Sequence, residues 1–350
     1  MSANEPQMRT RSEVRRNTAQ SSCTKSSAVS KKFKDIKTYG NKLTMKKEDS
    51  FRLIFENVNG LPPDMGYCSS SWKYKRLQHM IARFQIDAIS LVETQINPAL
   101  LPYTFSIRNK LFKHKESVTI LSHNKQEHIG MRQQGGVFTG VIGQATSCTV
   151  STGSDVEGLG RWNWIELKGQ KSSTFIITAY QCVRSKQTVN TVFLQRERHL
   201  RRCNKNGCPR QHFITDLITF ITGLMVGDNK IILAADVNEH ATEGLLAKEL
   251  EKIGMMNTCN KMFNQAGPAS HITGSDPIDG IWASSNLSAS AISILPQKFG
   301  AGDHRVMLVD FNLDQILESN ARICRPKIRR LTCENKKSVA NYNAMAWKHL

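Results

Sequence analysis

A polar residue capable of chemistry stands at the end of one apolar run after another. Asn57 follows FRLIFE, Glu93 follows ISLV, Tyr180 follows FIITA, and Asp236 with Asn238 follows IILAA; Asp279 heads DGIWAS, and Asp303 with His304 precedes RVMLVDF. Carboxylates can hold a cation or take up a proton, an imidazole can carry one, and amides or a phenol can donate to an anion. The recurrence is the signal, because loops at one end of a layered sheet converge and bring residues remote in sequence into one cleft. Taken singly, each residue also fits a structural part. Asn57 can cap a turn, Glu93 with Thr94 can cap a helix, and Asp236-Val237-Asn238 can form an Asx turn.

The elements that must position these residues can be read from periodicity. Phe51, Leu53 and Phe55 alternate with Arg52, Ile54 and Glu56, which predicts a strand ending in the turn Asn57-Val58-Asn59-Gly60. Trp72, Leu77, Met80, Ile81 and Phe84 recur at helical spacing, and the apolar run 86–92 then delivers Glu93, completing one β-α-β step. Further strands are predicted over 136–142, 162–167, 174–179, 230–235, 278–283, 291–295 and 305–311, and helices over 191–200, 213–225 and 243–253. Many strands with a few helices predict an α+β fold, with two sheets packed face to face and helices outside.

Charge narrows the partner. The 350 residues carry 48 Lys and Arg against 29 Asp and Glu, a net charge of +19, so a polyanion, with nucleic acid foremost, is expected. Residues 1–50 hold 12 basic and 5 acidic side chains without apolar periodicity and read as a mobile basic arm. The most apolar stretch, 213–226, is too short to cross a bilayer and contains Asp216, so no membrane partner is expected. The opening MSANEPQMRTRSEVRRNTAQ lacks the apolar core of a secretory signal. Nine scattered cysteines fit a reducing compartment, which places the protein inside the cell.

In order, the series FENVNGLP, ISLVETQ, GGVFTGVI, FIITAYQ, IILAADVNE, PIDGIWAS and AGDHRVMLVDF resembles the endonuclease/exonuclease/phosphatase superfamily, the group that contains apurinic endonucleases and pancreatic deoxyribonuclease. The resemblance runs from 51 to 311. It implies a deoxyribonuclease I-like, four-layer sandwich of two packed β-sheets flanked by helices, and a Mg²⁺-dependent (or Mn²⁺-dependent) phosphodiesterase nicking DNA, for which the nucleus is the expected compartment. Residues 1–50 would be the arm, 51–311 the catalytic domain and 312–350 a basic linker.

Phosphodiester hydrolysis needs an attacking water, neutralisation of phosphate charge and help for the leaving oxygen. By the resemblance, Glu93 would hold the divalent ion, Asn57 would orient the cluster, and Asp303 would lie close to the metal. Asp236 would align and deprotonate the water, while Asn238 would bind a phosphate oxygen. His304, with Asp279 fixing its tautomer, would hydrogen-bond the oxygen that becomes negative, and Tyr180 would donate from the other side. Glu56 replaces the usual Trp, Ala235 the usual Gly and Gly302 the usual Ser, and Asn59 stands where many apurinic endonucleases have Asp.

PIDGIWAS, CPRQHFITDL and the tail IRRL-x-C-x-N-K-K-x-V-x-x-Y further resemble endonuclease regions that precede a reverse transcriptase in non-LTR retrotransposon polyproteins. That origin makes the tail a linker cut short and a reverse transcriptase region a partner within a longer chain. Two other readings stand beside it: a phosphatase or phosphodiesterase of the same superfamily acting on another phosphate ester, and a catalytically inactive nucleic-acid-binding remnant. The basic stretch with Arg196, Arg201, Arg202, Lys205 and Arg210 reads as a phosphate-contacting loop, or as a solvated helix end. His199, Cys203, Cys208 and His212 within it have ligand-like spacing, but the two histidines are read as surface residues rather than as a zinc site.

Overall fold

The computed structural model describes residues 38–42, 45–63, 72–112, 115–127, 130–185, 190–318, 339–340 and 343–344. The strands are β1 (Tyr39–Gly40), β2 (Ser50–Asn57), β3 (Ala88–Val92), β4 (Ser117–Ser122), β5 (Val137–Ile142), β6 (Thr149–Ser154), β7 (Trp162–Lys168), β8 (Ser173–Tyr180), β9 (Lys230–Asp236), β10 (Met255–Asn257), β11 (Asp279–Ser284), β12 (Ala289–Ile294) and β13 (Met307–Asn312). The helices are α1 (Trp72–Arg83), α2 (Ile107–Phe112), α3 (Val192–Arg202), α4 (Pro209–Leu224), α5 (Leu245–Lys252), α6 (Thr258–Phe263) and α7 (Leu313–Leu317). They build a seven-stranded sheet in the order β1-β12-β13-β2-β3-β5-β4 and a six-stranded sheet in the order β10-β11-β9-β8-β7-β6.

Side-chain alternation explains the layers. In β2, Phe51, Leu53 and Phe55 point to one face and join Ile165, Ile176, Ile232 and Ile281 of the other sheet in the core between the sheets. Ile54 points the other way, with Ile89 and Leu91, against Leu77, Met80 and Ile81 of α1. On the second sheet, Ile231 and Leu233 turn outward to Phe213, Leu217 and Ile221 of α4 and to Leu246 and Leu250 of α5. The expected two packed sheets with helices outside are therefore present. A polar seam crosses the core: Thr139 bonds Asn163 at 2.5 Å and Thr178 at 2.6 Å, and Thr178 donates to Ser90 at 2.7 Å. Buried polar pairs of this kind specify one alignment of the two sheets, because a shift would leave them unsatisfied.

Order begins earlier than position 51. β1 pairs with β12, the Asn41 backbone N–H donates to Ile292, and Lys46 pairs with Asp87 at 2.7 Å. This docking rests on backbone pairing at a sheet edge, which leaves no side-chain period. At the other end, α7 buries Ile316 and Leu317 beyond position 311 and is capped by Asn312, but its five residues are too few to show a helical repeat. The edge strands β4, β6 and β10 and helices α2 and α6 also lie where no element was expected. Residues 1–37 of the expected arm and most of the expected linker over 312–350 fall outside the described residues.

Candidate active site

Two parallel pairs set the site. β2 lies parallel to β3 with Asn57 opposite Val92, so Asn57 and the following Glu93 emerge at the same edge. β8 lies parallel to β9 with Tyr180 opposite Asp236, which repeats the arrangement in the other sheet. β11 runs antiparallel to β9 and starts at Asp279, opposite Asp236. β13 runs antiparallel to β2, so the loop preceding it brings Asp303 and His304 to that edge too. Every strand end chosen from the sequence therefore delivers its polar residue to one end of the sandwich.

Two hydrogen bonds join the sheets there. The Asn57 side-chain amide donates to Asp236 at 2.8 Å, and also to Glu93 at 3.1 Å. His304 Nδ1–H donates to Asp279 at 2.6 Å. Asn57 is itself fixed, since its oxygen accepts the Asn59 backbone N–H at 2.9 Å. The Asn59-Gly60 turn has φ of 39° and 79°, the left-handed region that Asn and Gly tolerate best. From the first turn of α1, the Lys73 ammonium donates to the carbonyls of Val58, Asn59 and Gly60 at 2.6, 2.9 and 2.7 Å and clamps that turn. Glu93 also has a left-handed φ, 52°, a strained backbone held by its neighbours.

The electrostatics separate the roles. Burial, followed by the Asp279 carboxylate, pushes Asp236 well above the ordinary carboxylate range against the pull of His304 and Asn57. Burial would lower His304, but the carboxylates of Asp279, Asp236 and Asp303 outweigh it and raise the imidazole to about 9. At neutral pH it is a cation facing the cleft. Tyr180 is pushed well above its usual value by burial and by Glu93 and Asp236, so its hydroxyl keeps its proton.

A cleft of about 410 Å³ opens on this cluster, lined among others by Asn57, Glu93, Asn238, His271, Asp303 and His304. Asn238 donates through its side chain to the Gln181 carbonyl at 2.7 Å, and its backbone N–H donates to Asp236 at 3.0 Å. Asp303 accepts from Asn59 at 2.8 Å, and its other oxygen is buried with no partner among the described residues. The Tyr180 hydroxyl bonds Glu93, and the residue lines not the 410 Å³ cleft but an adjoining one of about 340 Å³ that shares Glu93 with it.

Two of the expected phosphate-contacting residues are structural instead. Arg196 is 2% exposed, donates to the Tyr180 carbonyl at 3.0 Å and lies over the Tyr180 and Phe213 rings, because α3 places position 196 on its inward face with Phe193 and Leu200. Arg210 donates to the carbonyls of Cys182 at 2.8 Å and Asn238 at 3.2 Å and pairs with Glu239, tying the β8 and β9 loops together. Arg201, Arg202 and Lys205 remain exposed, beside Glu197, Glu127 and Glu157 respectively. His199 is buried rather than on the surface, with Nε2 3.6 Å from Cys203, and His212 bonds the Asn206 carbonyl at 2.8 Å.

Three site residues were not singled out from the sequence. Lys73 acts on backbone carbonyls, which leave no trace in a motif. His271 reaches the site by an isolated bridge between its backbone and that of His304. Glu56 was noticed only as a departure from the family pattern. It is fully buried, accepts the Gly302 N–H at 2.7 Å, and burial raises its carboxyl to about 7.

No protein-family model matches the chain, and no curated protein matches it in sequence. Solved structures match in fold. The AP endonuclease of Leishmania major superimposes with a TM-score of 0.57 at 13% identity, over 75% of this chain and 88% of its own. A 3′ phosphatase from Neisseria bound to a product DNA hairpin gives 0.51 at 12% identity, over 75% and 99%. The catalytic domain of human Nocturnin gives 0.51 at 14% identity, over 75% and 93%. The fold is shared. At these identities the likeness establishes the deoxyribonuclease I-like sandwich, and the chemistry must be argued from the side chains.

Those side chains suit a hard divalent cation. Glu93 and Asp303 present carboxylate oxygens to the cleft, and the unpartnered buried oxygen of Asp303 is the kind of atom an ion would satisfy. Oxygen donors with room for water are the set that Mg²⁺ prefers.

Proposed function

We propose that the chain is a divalent-metal-dependent phosphodiesterase that nicks DNA by hydrolysis. The observation that carries this is the pair of bonds between the sheets, Asn57 to Asp236 and His304 to Asp279, which gather a base, an acid and a carboxylate site at one end of the sandwich, against the cleft that Glu93, Asp303 and His304 line. Asp236, held by the Asn57 amide and its affinity for a proton raised by burial and by Asp279, takes the proton of the attacking water. Asn57 holds that carboxylate and Glu93 in fixed relation, and Asn238 lines the path beside them. His304, cationic through its carboxylate neighbours, donates to the phosphate oxygen on which charge develops. Tyr180 supports Glu93. A Mg²⁺ held by Glu93 and Asp303 would supply Lewis-acid stabilisation of the phosphate charge.

DNA is the substrate favoured by the net charge of +19 and by the exposed Arg201, Arg202 and Lys205, with the basic residues of the first 37 positions as additional phosphate contacts. The nucleus is the matching compartment. The motif resemblance to retrotransposon endonuclease regions supports a role in cutting target DNA for a reverse transcriptase, and a reverse-transcriptase frame downstream of Leu350 would test it. For the activity itself, purified protein should convert supercoiled plasmid to open circles with Mg²⁺ and not with EDTA. Absence of nicking with every divalent ion tried would remove the enzymatic reading.

A further inference from the structure

A second imidazole stands beside the one assigned to the phosphate, and the proposed reaction does not use it. The backbones of His271 and His304 form an isolated antiparallel bridge, which sets their rings edge to face with centroids 5.0 Å apart. In both rings Nδ1 is committed. That of His304 bonds Asp279 at 2.6 Å, and that of His271 accepts the Thr273 backbone N–H at 3.3 Å and lies 3.0 Å from the Thr273 hydroxyl. Nε2 is thus the atom each ring has to offer. His271 Nε2 is 3.4 Å from an Asp303 oxygen, and one ligand atom from each of His271, Asp303 and His304 lies within 4.8 Å of the others.

We propose that His271, Asp303 and His304 form a site for a borderline transition-metal dication such as Zn²⁺, distinct in chemistry from the oxygen site at Glu93. Two imidazoles and one carboxylate with an open fourth position are the donor set that zinc takes, whereas Mg²⁺ dehydrates reluctantly and keeps to oxygen. Binding displaces the Nε2 proton of His304 to solvent and shifts the ring proton of His271 from Nε2 to Nδ1, where the Thr273 hydroxyl can accept it, and the ion takes the two Nε2 positions. The occupied site withdraws His304 from the phosphate and Asp303 from Mg²⁺, so zinc would inhibit nicking rather than replace magnesium. That consequence rests on the proposed function; the binding does not.

Titration of the metal-free chain with Co²⁺, read by its visible absorption, tests the site directly. One Co²⁺ per chain should bind with the intense band of a four- or five-coordinate ion, yield to Zn²⁺, and resist a large excess of Mg²⁺. His271→Ala should weaken Co²⁺ affinity by at least about tenfold, since losing a ligand costs no less than losing its outer-shell support. His271→Gln, closer in size, should do the same, and thermal melts verify that the variants are folded. Equal affinity in wild type and both variants, or displacement by Mg²⁺, would overturn the site by placing the ion on the carboxylates. Binding through His271 without any nicking would leave the site standing and reject the nuclease.

Discussion

Glu56 and Gly302 are joined by a 2.7 Å hydrogen bond from the Gly302 N–H to the Glu56 carboxyl, and through it the loop bearing Asp303 and His304 hangs from the end of β2. A Cβ at Gly302 would run into the Asn57 carbonyl, and one at Gly300 would run into Glu56 itself, so the close approach that seats the carboxyl needs glycine on the facing loop.

Replacing Glu56 therefore has opposite effects depending on shape. Glu56→Leu strands the N–H of Gly302 in the interior and should cost about 1–3 kcal/mol in urea unfolding. Glu56→Gln keeps the acceptor and removes the ionisation. Because burial raises the Glu56 carboxyl from 4.5 to about 7, its contribution is complete below pH 4.5 and is lost as the pH rises through about 7. The Gln variant should gain on the wild type across that window; parallel pH profiles would contradict this.

His304 gives the second pH signature. Its imidazole rises from 6.5 to about 9, so the stabilisation from its carboxylate neighbours is complete below pH 6.5 and is lost as the pH rises through about 9. NMR titration of the metal-free protein should place the midpoint near about 9, and Asp279→Asn should lower it. A wild-type midpoint near 6.5 would show that the Asp279 pairing is absent in solution.

Asn59 donates to Asp303 at 2.8 Å, where a carboxylate would repel it. Asn59→Asp should therefore lower the Mg²⁺ concentration needed for half-maximal nicking, as added negative charge strengthens the cation site. An unchanged Mg²⁺ requirement would place the ion away from Asp303.

The exposed and the buried arginines should separate cleanly. Arg201→Ala combined with Arg202→Ala should weaken DNA binding across sequences and flatten its salt dependence, with a slope lower by roughly 0.9 per lost contact. Arg196→Ala should lower the melting temperature instead, because a buried guanidinium that packs on two rings is removed. Full DNA affinity in the double variant would move the binding surface off α3.

Legibility from sequence followed burial. β2, β3, β9 and β11 are buried along their whole length, so each shows as an apolar run with a polar residue at its boundary, and those boundaries carry Asn57, Glu93, Asp236 and Asp279. β6 lies at the edge of its sheet, half-exposed, and its mixture of Thr, Ser and Gly has no period to detect. Arg196 was misassigned because a run of charges was read as one surface. Its spacing of three from Phe193 and four to Leu200 already put it on the apolar face of α3. Lys73 and His271 act through backbone contacts that only the folded chain creates.

Asp236 is the residue whose chemistry the account depends on most. The measurement that tests it is the single-turnover rate of nicking of supercoiled DNA in Mg²⁺, for wild type and Asp236→Asn side by side. Asparagine is close to aspartate in shape but cannot take the proton of water, so the rate should fall by about 10²-fold or more while DNA affinity holds and the variant stays folded. An Asp236→Asn enzyme that nicks at the wild-type rate would contradict the assignment and put the base, and with it the active site, elsewhere.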